Sequence, residues 1–282
     1  PRQMKADQSL QEKFTIWIPT KNRSNFLLRL LKYYTATDYR GNLFIGDSSE
    51  GEHLEKNRDT VKSFEGPLNI YYREFPKLSV GYTSAELVPL IETEFSSPLP
   101  DDDFIITSSI APSIQYLMNH DDVSGVNGKS IILSVDTDGA FGEVAGTREY
   151  PLAEVLNSTG KDRLAHLFNN MHSLLICVLR TNNFKDVYKK IGRLPYLHSQ
   201  HNFDELIGCI VMSTRGKIVK LPFLSLCRQG HSKQHYHTVD QYDWFTDKDW
   251  HFAFKLMEMT AIEELIRAEK MTEDVAKEQF KE

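Results

Sequence analysis

Cysteine is scarce in this sequence, and a surplus of positive charge is absent from it. The 282 residues include three cysteines, which are widely spaced and form no Cys-x-x-Cys pair. This pattern argues against a disulfide framework and against a cysteine-based zinc site. The formal net charge of −6 leaves no broad basic surface, so we expect no nucleic-acid partner.

Long apolar runs are also missing. No segment reaches transmembrane length, and residues 1–13 do not have the pattern of a signal peptide. We therefore expect no transmembrane segment and a cytoplasmic protein, either free or peripheral to the inner face of the membrane. Cys177 and Cys209 lie in apolar runs and are expected to be buried thiols.

The remaining composition is that of a globular protein, with 40% hydrophobic and 26% charged residues. Without repeats or linker-like tracts, residues 1–282 are interpreted as one domain. We divide it into an N-terminal part (about 14–110), a middle part (about 111–240) and a C-terminal helical segment (about 241–282).

Short apolar runs alternate with amphipathic stretches along the chain. Strands are predicted at 14–18, 43–46, 68–72 and 130–135, and helices at 24–34, 52–64, 84–94, 110–118, 161–182 and 250–281. Residues 137–150 are predicted as a glycine-rich loop. This alternation predicts an α/β fold with an open, mostly parallel central sheet flanked by helices.

Polar residues follow the first two strands. Thr20 to Arg23 come after the first strand, and Asp47 to Ser49 come after the second. Ligands of open α/β sheets bind outside the carboxyl ends of the strands. These two segments are therefore candidate ligand-binding loops.

Three consecutive acids, Asp101, Asp102 and Asp103, form an aspartate triplet that is followed by Phe104 and Ile105. Adjacent carboxylates repel one another, and a divalent cation such as Mg²⁺ or Mn²⁺ would offset this repulsion. The apolar pair would anchor the acids against a core. An exposed acidic turn after two prolines is the alternative, and the triplet alone does not decide between them.

The order of these motifs resembles the nucleotide-binding half of glycosyltransferase family 2. The strand with Pro-Thr-Lys-Asn-Arg, the strand with Gly-Asp-Ser-Ser and the Asp-Asp-Asp-Phe-Ile segment occur in the family's order over the first ~110 residues. The last two are similar to a bacterial branch of that family. The resemblance implies a GT-A-type fold, a divalent metal (Mn²⁺ or Mg²⁺), a UDP- or GDP-sugar donor and a glycan, lipid-linked or small acceptor.

The resemblance also implies site residues. The donor nucleotide sugar is expected to contact Pro19, Thr20, Asn22, Arg23, Asp47, Lys77, Asp101 and Asp102. Within this set, Asp47 would bond the base, and Asp101 or Asp102 the ribose. The metal is assigned to Asp103 and His231. Arg228, like Lys77, could pair with the diphosphate.

A weaker resemblance covers the middle part, about 111–240, which would correspond to the family's acceptor half, as the first part corresponds to its nucleotide-binding half. The resemblance implies transfer with inversion, which needs a carboxylate base. Asp204 and Glu205 are the candidates, with Glu205 slightly favoured. A plain acidic helix N-terminus is an equally good interpretation of this pair.

The segment before the triplet departs from the family pattern. Residues 95–100 read Phe-Ser-Ser-Pro-Leu-Pro, which predicts either a shortened strand or an extended loop. Two alternative functions therefore remain: a catalytically inactive nucleotide- or sugar-binding module, and a sugar nucleotidyltransferase. The second is disfavoured because residues 19–23 contain no glycine.

Overall fold

The central element of the protein is a β-sheet assembled from the short apolar runs of the sequence. A computed structural model describes residues 2–170, 173–192, 203–232, 246 and 248–281, and within these residues the sheet has nine strands. The strands are β1 (Phe14–Thr20), β2 (Asn42–Asp47), β3 (Asn69–Glu74), β4 (Phe95–Pro98), β5 (Phe104–Ile105), β6 (Val123–Val135), β7 (Val144–Glu149), β8 (Val178–Arg180) and β9 (Lys217–Gly230).

Helices connect these strands and pack on the sheet. Their bounds are α1 (Arg2–Gln11), α2 (Ser24–Ala36), α3 (Gly51–Phe64), α4 (Val80–Leu87), α5 (Ile110–Asn119), α6 (Gly160–Asn169), α7 (Thr181–Ile191), α8 (Phe203–Arg215), α9 (His251–Glu269) and α10 (Glu273–Lys281).

Four neighbouring strands, in the order β3-β2-β1-β4, are parallel, as the α/β pattern predicts. β1 is buried along nearly its whole length, which is typical of a parallel strand covered on both faces. Its last residue, Thr20, pairs with Asp47 at the end of β2. The loops that leave β1 and β2 therefore begin side by side at one edge of the sheet.

The sheet continues through β8, β6, β9 and β5 with mixed pairing. β6 and β9 are parallel, whereas β8 is antiparallel to both β4 and β6, and β5 is antiparallel to β9. Phe104 of β5 pairs with Cys227 of β9, so the end of β9 lies beside the segment that precedes β5. β7 pairs with the outer part of β6 and forms a hairpin with it.

The core lies on both faces of the sheet because neighbouring side chains of a strand point in opposite directions. Trp17 of β1 belongs to one apolar cluster, together with residues of α4, α7, α8 and α9. Ile16 and Ile18 belong to the other cluster, together with residues of α2 and α5. The sheet is thus packed between two layers of helices.

The prediction of one helix over residues 161–182 is wrong. α6 ends at Asn169, and the apolar residues beyond it include the strand β8, which is followed by α7. Val178 pairs with Val126 of β6, and Leu179 pairs with Ser96 of β4. This pairing between distant segments outweighs the helical spacing of the apolar residues.

Three smaller predictions also change. The helix predicted at 84–94 lies earlier, at α4, and is followed by a short 3-10 turn that contains Pro89, which has no N–H to donate. The loop predicted at 137–150 contains β7. Of the two alternatives for residues 95–100, the shortened strand is correct, with Pro98 as the last residue of β4.

The apolar segments of the chain lie in this core. Cys177 and Cys209 are buried, as predicted from their apolar surroundings. In the described ranges, no helix has the length and apolarity that crossing a bilayer requires.

Candidate functional site

The aspartate triplet lies in the turn between β4 and β5 and is buried. The exposed fractions are 0% for Asp101, 5% for Asp102 and 0% for Asp103. Two backbone hydrogen bonds fix the turn: Leu99 N donates to Trp17 O (2.8 Å), and Asp103 N donates to Pro100 O (3.1 Å). The alternative of an exposed acidic turn is therefore wrong.

Asp101 is bound by the segment at the end of β1. Thr20 Oγ1 donates a hydrogen bond of 2.6 Å to Asp101 Oδ2, and Arg23 forms an ion pair with Asp101 Oδ1. Burial raises the pKa of Asp101 to about 6, and the charge of Arg23 limits the rise. The structure thus brings together two segments that the sequence singled out separately.

One carboxylate oxygen of Asp102 accepts hydrogen bonds from two side chains. Arg23 Nη1 and His231 Nε2 each lie 2.9 Å from Asp102 Oδ2. Burial alone would raise the pKa of Asp102, but the hydrogen bond with His231 and the charge of Arg23 hold this pKa below its ordinary value. The His231 ring also packs against Phe26 of α2, with 4.9 Å between the ring centroids.

Asp103 is held by the end of β9. Arg228 Nε donates to Asp103 Oδ2 (2.9 Å), and the backbone N of Gln229 donates to Asp103 Oδ1 (3.2 Å). Burial, and next the charge of Asp102, raise the pKa of Asp103 to about 7. The register between β5 and β9 places Arg228 here, because Cys227 pairs with the residue that follows Asp103.

The loop after β1 is shaped by its contacts with the loop after β2. Asn22 has a left-handed backbone with φ of 54°. Its N–H donates to Ser49 Oγ (2.8 Å), and its Oδ1 accepts from Glu50 N (3.0 Å). The chain then turns into α2, with Arg23 as the residue before the helix. Pro19 belongs to β1 itself.

Asp47 is fully buried below this loop. Its Oδ1 accepts from Ser49 N (2.8 Å), and its Oδ2 accepts from Asn57 Nδ2 (2.8 Å) and the Tyr72 hydroxyl (2.7 Å). These bonds fix the loop after β2. Contact of Asp47 with a nucleotide base stays a prediction.

Two residues that sequence reasoning missed join the triplet to the β6–β7 hairpin. Arg29 Nη2 donates to the backbone O of Asp102 (2.8 Å), while its Nη1 donates to Ala140 O (3.0 Å) and bonds Gln229 Oε1. Gln229 is fully buried, and its Nε2 donates to Gly139 O (2.8 Å). The one available signal was a cation on a flank of the amphipathic helix α2, which is too common to identify a site.

Three predicted site residues lie apart from this cluster. Asp204 and Glu205 form the first turn of α8, where Glu205 N donates to Asp204 Oδ1 (2.8 Å) and burial raises the pKa of Asp204 to about 7. Neither shares a hydrogen bond or an ion pair with the triplet in the part of the chain that the structure describes. Lys77 is exposed on the loop after β3.

A divalent cation such as Mn²⁺ or Mg²⁺ needs several oxygen or nitrogen ligands around it. Among the described residues, no three His, Cys, Asp or Glu side chains converge to hold a metal ion by themselves. Asp102 and His231, however, place an oxygen and a nitrogen 2.9 Å apart. Neighbouring ligands of an octahedral ion with bonds of about 2.1 Å are separated by about 3.0 Å. This separation, which is that of a hydrogen bond in the structure, matches two adjacent positions around such an ion, and Asp102 Oδ2 would exchange its bonds with His231 and Arg23 for the ion. Both oxygens of Asp103, by contrast, are engaged by Arg228 and Gln229.

No family model matches the chain, and no curated protein matches its sequence. Solved structures do match. S. aureus TarS 1–349 in complex with UDP-GlcNAc aligns with a TM-score of 0.60 over 95% of this chain and 70% of that chain, at 15% identity. Its complex with UDP gives a TM-score of 0.56 over 95% and 69%, at 16% identity. At these identities the likeness establishes the fold, which is of GT-A type, as expected from the sequence.

Proposed function

We propose that this chain transfers a sugar from a nucleotide-sugar donor to an acceptor, and that the donor diphosphate binds at the aspartate triplet. The main support is the burial of three carboxylates beside Arg23 and Arg228, at the edge of the sheet where ligands of open α/β folds bind. A GT-A-type structure that aligns with this chain was solved in complex with UDP-GlcNAc, which is a nucleotide sugar.

Arg23 and the N-terminus of α2 are the proposed binding groups for the diphosphate. The first backbone N–H groups of a helix and its dipole favour an anion, and the residue before α2 makes no side-chain cap. Thr20 orients Asp101, which is proposed to bond the ribose. Pro19, Asn22 and Asp47 would shape the pocket for the base, and Lys77 would approach from the loop after β3.

Asp102 and His231 are the proposed protein ligands of a divalent cation, Mn²⁺ or Mg²⁺. When bound, such a cation would neutralise charge on the nucleoside diphosphate that leaves. This assignment replaces Asp103, which the sequence favoured, because Arg228 and Gln229 bind Asp103.

Transfer with inversion requires a carboxylate that takes the proton of the acceptor hydroxyl. Glu205, with Asp204 beside it, is the proposed base. The acceptor is proposed to be a glycan, a lipid-linked molecule or a small molecule.

Titration calorimetry with UDP, GDP, CDP and dTDP, each with and without Mn²⁺, tests the donor site. We expect UDP or GDP to bind, and Mn²⁺ to tighten this binding. Asp102→Asn should lower the Mn²⁺-dependent affinity by about tenfold or more. The matched control is Asp59→Asn, on an exposed position of α3, which should bind like the wild type.

Absence of binding by all four nucleotides in the presence of Mn²⁺ would refute the proposal. If UDP-GlcNAc binds but releases no UDP with any acceptor, the chain is a binding module instead.

A further inference from the structure

The guanidinium of Arg23 serves two of the three aspartates at once. Its Nη1 donates to Asp102 Oδ2 at 2.9 Å, and its Nη2 pairs with Asp101 Oδ1. The side chain is 16% exposed, whereas Asp101 is fully buried. Arg23 is thus the counter-ion that makes burial of both carboxylates tolerable, because paired buried charges cost far less than single ones.

Arg23 also has a hydrogen-bond donor that no acceptor among the described residues uses. This donor is Nε, which is buried. Ser48 Oγ, in the neighbouring loop after β2, is likewise buried without a partner in the part of the chain that the structure describes. Ser48 N donates to Thr20 O (2.9 Å), so this hydroxyl belongs to the same edge of the sheet. Buried donors without acceptors are rare in proteins and point to a ligand that supplies oxygens.

The oxygen that Arg23 binds is also the one that a cation would need. Asp102 Oδ2 accepts from Arg23 and from His231 at equal distances of 2.9 Å. A cation held by Asp102 and His231 would therefore compete with Arg23 for this oxygen and would also repel its charge. A guanidinium displaced in this way would find a matching partner in a diphosphate, which it can bind through two parallel hydrogen bonds.

We propose that Arg23 is an exchangeable counter-ion, which leaves Asp102 for the donor diphosphate when a divalent cation takes Asp102. The inference rests on the proposed function and adds a specific mechanism of coupling. The cation binds Asp102 and the diphosphate binds Arg23, so each ligand frees the residue that the other ligand binds. Each ligand therefore favours the binding of the other. By linkage, the cation tightens nucleotide binding by the same factor as the nucleotide tightens cation binding.

Arg23→Gln separates this role from a structural one. Without the competing charge, Mn²⁺ alone should bind the variant tighter than the wild type, by about fivefold or more, as read from free Mn²⁺ by electron paramagnetic resonance. UDP alone should bind about tenfold more weakly, as read by calorimetry. The two affinities change in opposite directions, which a general loss of structure does not produce. Arg40→Gln, which removes an exposed ion pair with Asp38, is the control and should change neither.

A parallel weakening of both ligands in Arg23→Gln, or an unchanged Mn²⁺ affinity, would overturn the exchange. If this variant does not fold, Arg23→Lys replaces it. A lysine keeps the charge but cannot span both aspartates, so we expect weaker UDP binding with an Mn²⁺ affinity that does not fall. Wild-type protein that binds neither Mn²⁺ nor UDP contradicts the proposed function itself, and this result differs from every outcome of the variant comparison.

Discussion

Asp204 and Glu205 are neighbours in sequence, but their carboxylates have different surroundings. Asp204 Oδ1 accepts from the Glu205 N–H at 2.8 Å, and burial raises the pKa of Asp204 to about 7. The Glu205 carboxylate has no hydrogen bond or ion pair among the described residues. A general base needs an oxygen that is open to the acceptor, which favours Glu205 over Asp204.

We therefore expect Glu205→Gln to lower the rate of sugar transfer by about 10²- to 10⁴-fold, because the amide cannot accept the proton. The dissociation constant of UDP-GlcNAc should stay unchanged, since the side chain does not contact the triplet. Steady-state kinetics and calorimetry measure the two quantities. Asp204→Asn is the matched comparison and should have the smaller effect on the rate. A Glu205→Gln enzyme as fast as the wild type would exclude Glu205 as the base.

The sequence predicts those site residues that belong to short continuous motifs. Arg23 and the aspartates are of this kind. Arg29 and Gln229 are not: they bond across a separation of 200 residues. The sequence also does not predict whether Asp102 or Asp103 faces His231, because that choice depends on the register between β5 and β9.

At the scale of elements, α8 is fixed at its C-terminus by a side chain from α6. Arg163 is 8% exposed, and its Nε and Nη2 donate to Ser213 O (2.6 Å) and Thr214 O (2.9 Å). Its Nη1 donates to the carbonyls of Asn157 and Ser158, both at 2.9 Å. One guanidinium thus serves carbonyls at the end of a helix, which have no partner within that helix.

Replacing Arg163 by Met should lower the free energy of unfolding by about 2–4 kcal/mol, because buried carbonyls lose their donors. Urea unfolding followed by circular dichroism measures this. The control is Arg148→Met on the exposed strand β7, which should change stability by less than about 0.5 kcal/mol. Equal stabilities of the two variants would contradict the capping role.

Element boundaries are where the sequence was least informative. The sequence predicts a strand at residues 14–18 because a short run of aromatic and β-branched residues favours a strand whatever its partners are. β8 was missed because its three residues become a strand only by pairing with β4 and β6. The apolar residues around β8 do have helical spacing, but the pairing with β4 and β6 determines the structure of this segment.

At the scale of the whole molecule, one partly buried arginine connects three helices. Arg215 at the end of α8 forms ion pairs with Glu264 of α9 (2.7 Å) and Asp186 of α7 (2.6 Å). Glu264 is 2% exposed and also pairs with Arg267 at 2.8 Å. This network fixes α9 on the helical layer next to the sheet, alongside the apolar contacts of α9 with α8.

Arg215→Met should destabilise the protein by about 3–5 kcal/mol, because Glu264 is left buried with less compensation. The double variant Arg215→Met, Glu264→Leu should recover much of this loss, since no buried charge remains unpaired. A double-mutant cycle of unfolding free energies measures the coupling. Additive effects of the two substitutions would show that the pair does not hold α9.

The α/β fold with an open, mostly parallel sheet followed from the alternation of strand and helix, which even an approximate assignment preserves. Its GT-A type followed from the resemblance to glycosyltransferase family 2. How α9 joins α8 did not follow, because its charged partners, Arg215 and Glu264, lie 49 residues apart.

The ion pair of Asp103 with Arg228 also has a consequence for biosynthesis. The two residues are separated by 125 positions in the chain. At a translation rate of about 5–20 residues per second, the ribosome adds Arg228 roughly 6–25 s after Asp103. During that interval the nascent chain contains Asp103 but not yet Arg228, its ion-pair partner. The aspartate turn therefore reaches its final arrangement only after β9 has left the ribosome.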